Sequence, residues 1–305
     1  MIGNIISIMK SAIKFFIIVS LLSLTACADK SSSTDINTSD GDKFYIENKG
    51  SDTIVNLALA WAEAYQELHP HISLSVTGGG SGTGISALIN GTTDVANASR
   101  QIKSEEIEAI QASGSDPIEY TIARDAIAII IHRDNPIDSL TLQQISDIYS
   151  GNINNWSELG GEKRPIVRLS RETNSGTHVY FLEQVLRLGD KSNQTLFSQD
   201  TLLLPSSEVI SAEIRDNPNA IGYDGLGYVT EDMKVIAVAE DSEKKPVLPS
   251  IESVNNDTYP ISRNLYMYTA GEPLIYIKEY LDWIQSPEAQ SIVIELGFVP
   301  LEQKP

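Results

Sequence analysis

Cysteine is almost absent. The 305-residue chain has one, Cys27, which excludes a disulfide-stapled scaffold and any zinc site built from several thiolates. Positive charge is scarce: 22 Lys and Arg stand against 41 Asp and Glu, a formal net charge of −19. Neutralising a nucleic-acid backbone needs clustered cations, so this balance argues against nucleic acid as a partner and against electrostatic docking on an anionic bilayer. Histidine is rare as well, with four residues, and no His, Asp and Glu fall at metal-ligand spacing. His69 and His71 flank Pro70 at a predicted helix end and read as an exposed turn. No apolar run reaches the roughly 20 residues of a membrane-spanning helix. What is present is ordinary for a folded protein: 41% hydrophobic residues, enough for sizeable cores, over a length suited to about two domains.

The first 26 residues differ from the rest. They hold no Asp or Glu, carry Lys10 and Lys14, and then run apolar from Phe15 to Leu24. A charged n-region, a short h-region and small residues before a cut describe a secretory leader. Its end, Leu24-Thr25-Ala26-Cys27, resembles the lipobox of bacterial lipoproteins, in which the cysteine is lipidated and becomes the first mature residue. Residues 1–26 are therefore expected to be a lipoprotein signal peptide. Residues 27–41, rich in Ser, Asp, Lys and Thr, are expected to be a flexible tether, because they hold too little apolar surface to bury.

The body alternates strand and helix signals. Phe44–Ile46 and Ile72–Val76 read as strands, and Thr53–Leu68 as a helix on the spacing of Ile54, Leu57, Trp61, Tyr65 and Leu68. Asp94–Ala98 is a further strand, Glu105–Ala112 a helix, and the unbroken apolar run Ala126–Ile131 a strand buried on both faces. Thr141 and Gln144 form a capping box ahead of another helix. Strands at Ile166–Leu169, Ile221–Tyr223, Val235–Val238 and Leu265–Tyr268 follow, with a helix over Ser175–Leu188 and two Pro-initiated helices from Pro273 and Pro287. Alternation of this kind predicts an α/β fold with mainly parallel sheets.

Three Gly/Ser turns join a strand to a helix N-terminus: Gly50–Thr53, Gly80–Thr83 and Ser175–Thr177. Free N–H groups and the helix dipole favour an anion there, Ser and Thr hydroxyls add donors, and glycine lets a ligand approach the backbone. Arg100 and Arg171 lie next to such loops, and a guanidinium fork suits a tetrahedral oxyanion. A nucleotide site is disfavoured, since residues 80–84 lack the Lys-Ser/Thr of a phosphate-binding loop. A secreted serine hydrolase or phosphatase acting through Ser81 or Ser175 would need a base and an orienting group, and neither occurs in a recognisable motif. His132 and His178 read as structural or cleft-rim residues, and no cofactor is implied.

Several motifs occur together in one order. They are Gly50–Thr53, Gly79–Thr83, Asp94 with Arg100, Ala123–Ala128, Gly151 with Trp156 and Gly161, Ser170–Thr177, and Asn219–Tyr223. Together they resemble the PstS-like phosphate-binding proteins of bacterial ABC transporters, over roughly residues 42–305. That resemblance implies a two-domain, periplasmic-binding-protein-like (type II) α/β fold with a ligand cleft between the domains and a two-strand hinge. The chain would cross near Asp125–Ile129 and return near Arg263–Leu265, making domain I residues 42–124 plus 262–305 and domain II residues 125–261.

The implied function is capture of inorganic phosphate outside the cytoplasm by a lipid-anchored monomer that performs no catalysis, with delivery to the permease subunits of the transporter. The implied ligand residues are Ser51, Asp52, Thr53, Ser81, Gly82, Ser99, Arg100, Arg171, Ser175, Gly176 and Thr177. One departure matters. Well-known family members place an Asp where this chain has Arg100, and that Asp accepts the proton of phosphate and so excludes sulfate. The acceptor is left open here, with Asp125 the first candidate and Glu172 the second. Another oxyanion, such as sulfate, molybdate or tungstate, is the alternative ligand.

Overall fold

A computed structural model describes residues 43–302; the leader, Cys27 and the tether lie outside the described residues. In β1 (Phe44–Gly50), Ile46, Asn48 and Gly50 face inward. In α1 (Asp52–Leu68) the buried residues Ile54, Leu57, Ala58, Trp61 and Tyr65 repeat at helical spacing. The helix stops at His69, because Pro70 disfavours helical geometry in the residue before it. Then come β2 (Ile72–Thr77), α2 (Ser81–Ile89), β3 (Val95–Ala98) and α3 (Ser104–Ala112). Gly84 lies where α2 meets β1: a Cβ there would strike the Lys49 carbonyl.

β4 (Pro117–His132) is the long element, 16 residues or about 50 Å of extended chain. After it come β5 (Ser139–Thr141) and α4 (Leu142–Ser150), which opens with the predicted Thr141–Gln144 capping box. Next are β6 (Val167–Arg171), α5 (Gly176–Phe181), β7 (Leu202–Leu204), α6 (Ser207–Asp216), β8 (Ala220–Gly225), β9 (Met233–Ala239) and α7 (Ile251–Asn255). The order ends with β10 (Ser262–Ala270), α8 (Ile275–Ile284) and α9 (Pro287–Glu295). The helix expected over Ser175–Leu188 is not continuous: α5 passes into a widened π turn at Leu182–Leu186, and Leu188 takes a positive φ of 55° before Gly189. Ser146 Oγ donates to the Leu186 carbonyl near that helix end, at 2.7 Å.

The sheet runs β2-β1-β3-β10-β4-β8-β6-β7, with β9 against β4 and β5. It is more mixed than alternation predicts. Five strand pairings are parallel and four antiparallel, and every antiparallel one involves β4 or β10. The cause is the path of β4. Its first part, Pro117–Ala126, pairs with β10, and its second part, from Ile127, pairs with β8 and β9.

Two main apolar clusters follow the same division. One gathers Ile54, Leu57, Trp61, Leu265, Tyr280, Val293 and Phe298; the other gathers Ile129, Ile145, Tyr149, Trp156, Phe181, Tyr223 and Val254. The C-terminal helices belong to the first cluster, where Trp61 Nε1 donates to the Ala289 carbonyl at 2.8 Å. Among the described residues, no helix is long and apolar enough to cross a membrane.

Candidate functional site

Three turns of the first half bring three serines together. Ser51 precedes α1, but its hydroxyl does not cap the helix; Ser51 Oγ donates to Ser99 Oγ at 3.0 Å. Ser81, the first residue of α2, accepts from Ser99 N at 3.0 Å and lies 3.3 Å from Ser99 Oγ. All three are buried. From the second half, α5 points its N-terminus at the same place. Thr177 Oγ1 lies 2.7 Å from Thr53 Oγ1. Gly176 has to be glycine for this approach: a Cβ would strike Ser81 Oγ and sit 2.6 Å from Ser99 Oγ.

Two of the expected residues are engaged otherwise. Ser175 Oγ caps α5, accepting from Thr177 N at 3.2 Å and His178 N at 3.4 Å. The Gly82 amide donates to the Asn174 carbonyl at 2.9 Å, and Asn174 Nδ2 donates to the Gly79 carbonyl at 2.9 Å. Asn174 thus sits on the N-terminal turn of α2.

The charged groups divide into three sets. Arg171 Nη2 contacts Asp52 Oδ2 at 2.6 Å and the Pro205 carbonyl at 2.9 Å, while Nη1 donates to Ser207 Oγ at 3.0 Å. Its Nε is buried and has no hydrogen-bond partner. Asp52 Oδ1 accepts from Gly79 N at 3.0 Å. Behind Arg171, Ser207 Oγ donates to Asp224 Oδ1 at 2.8 Å. Asp224 is fully buried, and burial pushes its carboxyl up to about 6 against the opposing pull of Arg171.

The second set joins the crossing strands. Asp125 on β4 and Arg263 on β10 are register partners, and Arg263 Nη2 lies 3.0 Å from Asp125 Oδ2. The same Nη2 is 3.0 Å from Thr177 Oγ1 and 3.4 Å from Thr53 Oγ1, and Nη1 donates to the Ser99 carbonyl at 2.9 Å. Burial raises the Asp125 carboxyl, and the charge and hydrogen bonds of Arg263 pull against it. The third set is Arg100 with Glu106. Its guanidinium makes a fork to that carboxylate, at 2.8 and 2.6 Å, and also donates to the Gln101 carbonyl. Burial acts to raise the Glu106 carboxyl, but hydrogen bonds from Arg100 and the Lys103 amide outweigh it and hold it low.

Of the residues expected from sequence, Ser51, Thr53, Ser81, Ser99, Gly176, Thr177 and Asp125 converge, with Asp52 and Arg171 bridging beside them. The Arg100 guanidinium is turned to Glu106, and Glu172 is exposed. Arg263 is the site residue that sequence reasoning placed only at a strand crossing. Its partner lies 138 residues away in the chain, and no local motif marks it. Of the hydroxyls that could have been nucleophiles, Ser81 bonds to Ser99, and Ser175 to backbone amides. His178 Nδ1 lies 3.0 Å from Ser170 Oγ, and burial lowers its pKa, keeping the ring neutral. Among the described residues, no group of three or more His, Cys, Asp and Glu could hold a metal.

Comparison with known proteins identifies the family. Residues 34–288 match the family model described as the PBP superfamily domain. The chain is 34% identical over 276 residues to the phosphate-binding protein PstS of Pseudomonas aeruginosa, covering 85% of this chain and 84% of that protein. It is 32% identical over 253 residues to the phosphate-binding protein PstS of Bacillus subtilis, covering 83% and 79%. A Clostridium perfringens protein solved with bound phosphate superposes with a TM-score of 0.76 at 34% identity, covering 85% of this chain and all of that one. The fold is the α/β periplasmic-binding-protein-like fold of type II. The chain therefore belongs to the PBP superfamily and, within it, to the PstS family of phosphate-binding proteins.

Proposed function

We propose that this protein captures inorganic phosphate where the three turns and the crossing strands meet, and delivers it to the permease of an ABC transporter. The observation that carries the reading is the convergence of five buried hydroxyls with buried Arg171 and Arg263, one of whose guanidinium nitrogens, Arg171 Nε, has no protein partner. Hydroxyls, helix N-termini and guanidinium forks replace the water around a tetrahedral anion, and a buried donor without an acceptor favours an anionic one. Asp52 and Asp125 are the carboxylates placed to accept a proton. Hydrogen phosphate brings one and sulfate brings none, so sulfate meets uncompensated repulsion.

The two halves act as hinged domains in this reading. Domain I is residues 42–124 with 262–305, and domain II is residues 125–261. The change of partner along β4 at Ala126 and Ile127, and the two apolar clusters, support that division. Closure brings Arg171 and the Ser175–Thr177 turn over an anion already held by α1 and α2. Phosphate leaves chemically unchanged. Cys27, once lipidated, holds the protein as a monomer outside the cytoplasmic membrane through the tether 27–41.

Calorimetry on the purified protein, stripped of anion by partial unfolding and refolding, tests the reading. One-to-one phosphate binding that persists in excess sulfate is expected. Binding of sulfate, molybdate or tungstate without phosphate overturns the ligand assignment.

A further inference from the structure

The cluster holds a cation, Arg263, that the sequence motifs do not assign. We infer that Arg263, not Arg100, is the second guanidinium that contacts the anion. This inference rests on the phosphate reading above and names the residue that holds the charge.

Three observations carry it. First, position: Arg263 Nη2 reaches both threonine hydroxyls that meet between the halves, at 3.0 and 3.4 Å. An anion accepting from Thr53 and Thr177 is therefore within reach of the same nitrogen. Second, geometry: both terminal nitrogens of the Arg100 fork are tied to Glu106, leaving only its buried Nε without a partner, whereas the Arg263 Nη2 that meets Asp125 also reaches the two threonines. Releasing the Arg100 fork would leave a half-buried carboxylate without its partner, which is costly. Third, access: Arg263 also lines a cavity of about 330 Å³ together with Arg100, Lys103, Tyr180 and Tyr266. The buried cluster and an opening thus share this guanidinium. The Tyr180 ring packs against it, 5.6 Å from its carbon to the ring centroid.

Asp125 has a definite part in this arrangement. A lone buried guanidinium would be expensive, and the carboxylate across the ladder balances it while fixing the direction of its fork. The pair lies where both crossing strands pass, so the anion contact and the hinge are one element. Arg100 lines the approach and braces α3 through Glu106.

The test compares phosphate binding in Arg263→Gln, Arg263→Lys, Arg100→Gln and the double variant Asp125→Asn with Arg263→Gln. The single Arg263→Gln change strands a buried carboxylate and can lower folding, so the double variant, which removes both charges, is read against Asp125→Asn alone, which removes the carboxylate and keeps Arg263. With a folded protein confirmed by thermal melting, the double variant is expected to lose about 100-fold or more in affinity, since bonds to charged groups contribute roughly 1.5–3 kcal/mol each. Arg263→Lys retains charge without the fork and is expected to lose about tenfold. Arg100→Gln strands Glu106 and is expected to lower the melting temperature, while phosphate affinity stays within about threefold of the parent. The Nε–H NMR signal of Arg263 moves on phosphate addition, and that of Arg100 does not. A folded double variant that binds like Asp125→Asn alone, or an Arg100→Gln change as damaging to affinity as the loss of Arg263, overturns the assignment. A parent protein that binds no phosphate overturns the functional reading and this inference with it, and is distinguished by failing before any variant is made.

Discussion

The strand-to-helix turns and the crossing strands reach the same point by unlike routes. The turns bring neutral donors, and each is built from neighbours in sequence: Gly50 to Thr53, Gly80 to Thr83, Ser175 to Thr177. The crossing strands bring charge, and Asp125 meets Arg263 only because β4 and β10 pair in one register. The turns are pliable parts whose amides can serve a ligand or, as with Gly82 and Asn174, the opposite half. The buried ion pair is fixed, since either partner alone would be stranded. On the proposed reading, selectivity by shape falls to the turn hydroxyls, and selectivity by charge to the crossing together with Asp52 and Arg171.

The largest expected effect is the loss of affinity in the double variant at Asp125 and Arg263 described above, which breaks the charged side of the comparison. The next breaks the neutral side. Gly176→Ala places a methyl against the Ser81 and Ser99 hydroxyls. Overpacking of this kind costs about 1–3 kcal/mol, so phosphate affinity should fall roughly tenfold to a hundredfold. On the hinged reading proposed above, the melting temperature without phosphate should change little. Titration calorimetry beside thermal melting checks this, and unchanged affinity would show that the turns need not approach so closely.

A smaller effect is expected from Asn174→Ala, which removes the side-chain bonds to the Gly79 carbonyl and to Thr83 Oγ1 and keeps the backbone bond to Gly82. The lost bonds are exposed, so affinity should fall about twofold to fivefold, seen as a faster dissociation rate. A separate effect, on stability rather than affinity, is a pH dependence behind Arg171. The Asp224 carboxyl is raised to about 6 from an ordinary 3.8, so the folded state binds more protons than the unfolded state between those values. Its contribution to stability is full below the unfolded value and is lost as pH rises through about 6. Asp224→Asn removes that loss, so its melting temperature relative to the parent should climb between pH 4 and 7 (roughly the window these values set). A difference that stays flat across this window would place Asp224 outside the titrating groups.

Legibility in the sequence follows the same division. The turns were readable because glycine, serine and a helix start leave local marks, and their chemistry followed from those marks. The capping box at Thr141 and the Pro-initiated helix at Pro287 were readable for the same reason. The π turn at Leu182–Leu186 was not, because Val179, Leu182, Val185 and Leu186 fit an unbroken helix equally well. α6 carries a recognisable start as well, with Ser206 capping it and Ile210 and Ile214 on one face. The antiparallel pairings of β4 and β10 were hidden because alternation of elements says nothing about strand direction. The place of Arg100 just after the Asp94–Ala98 strand suggested a ligand role, whereas its fork to Glu106 depends on how α3 packs.

The most direct measurement is a crystal structure of the protein grown with phosphate. The account predicts one tetrahedral anion between the N-termini of α1, α2 and α5, within hydrogen-bond distance of Thr53, Thr177, the Arg171 guanidinium and Arg263, with Arg100 still forked to Glu106. An anion held by Arg100, with Arg263 bonded only to Asp125 and the protein backbone, would contradict it.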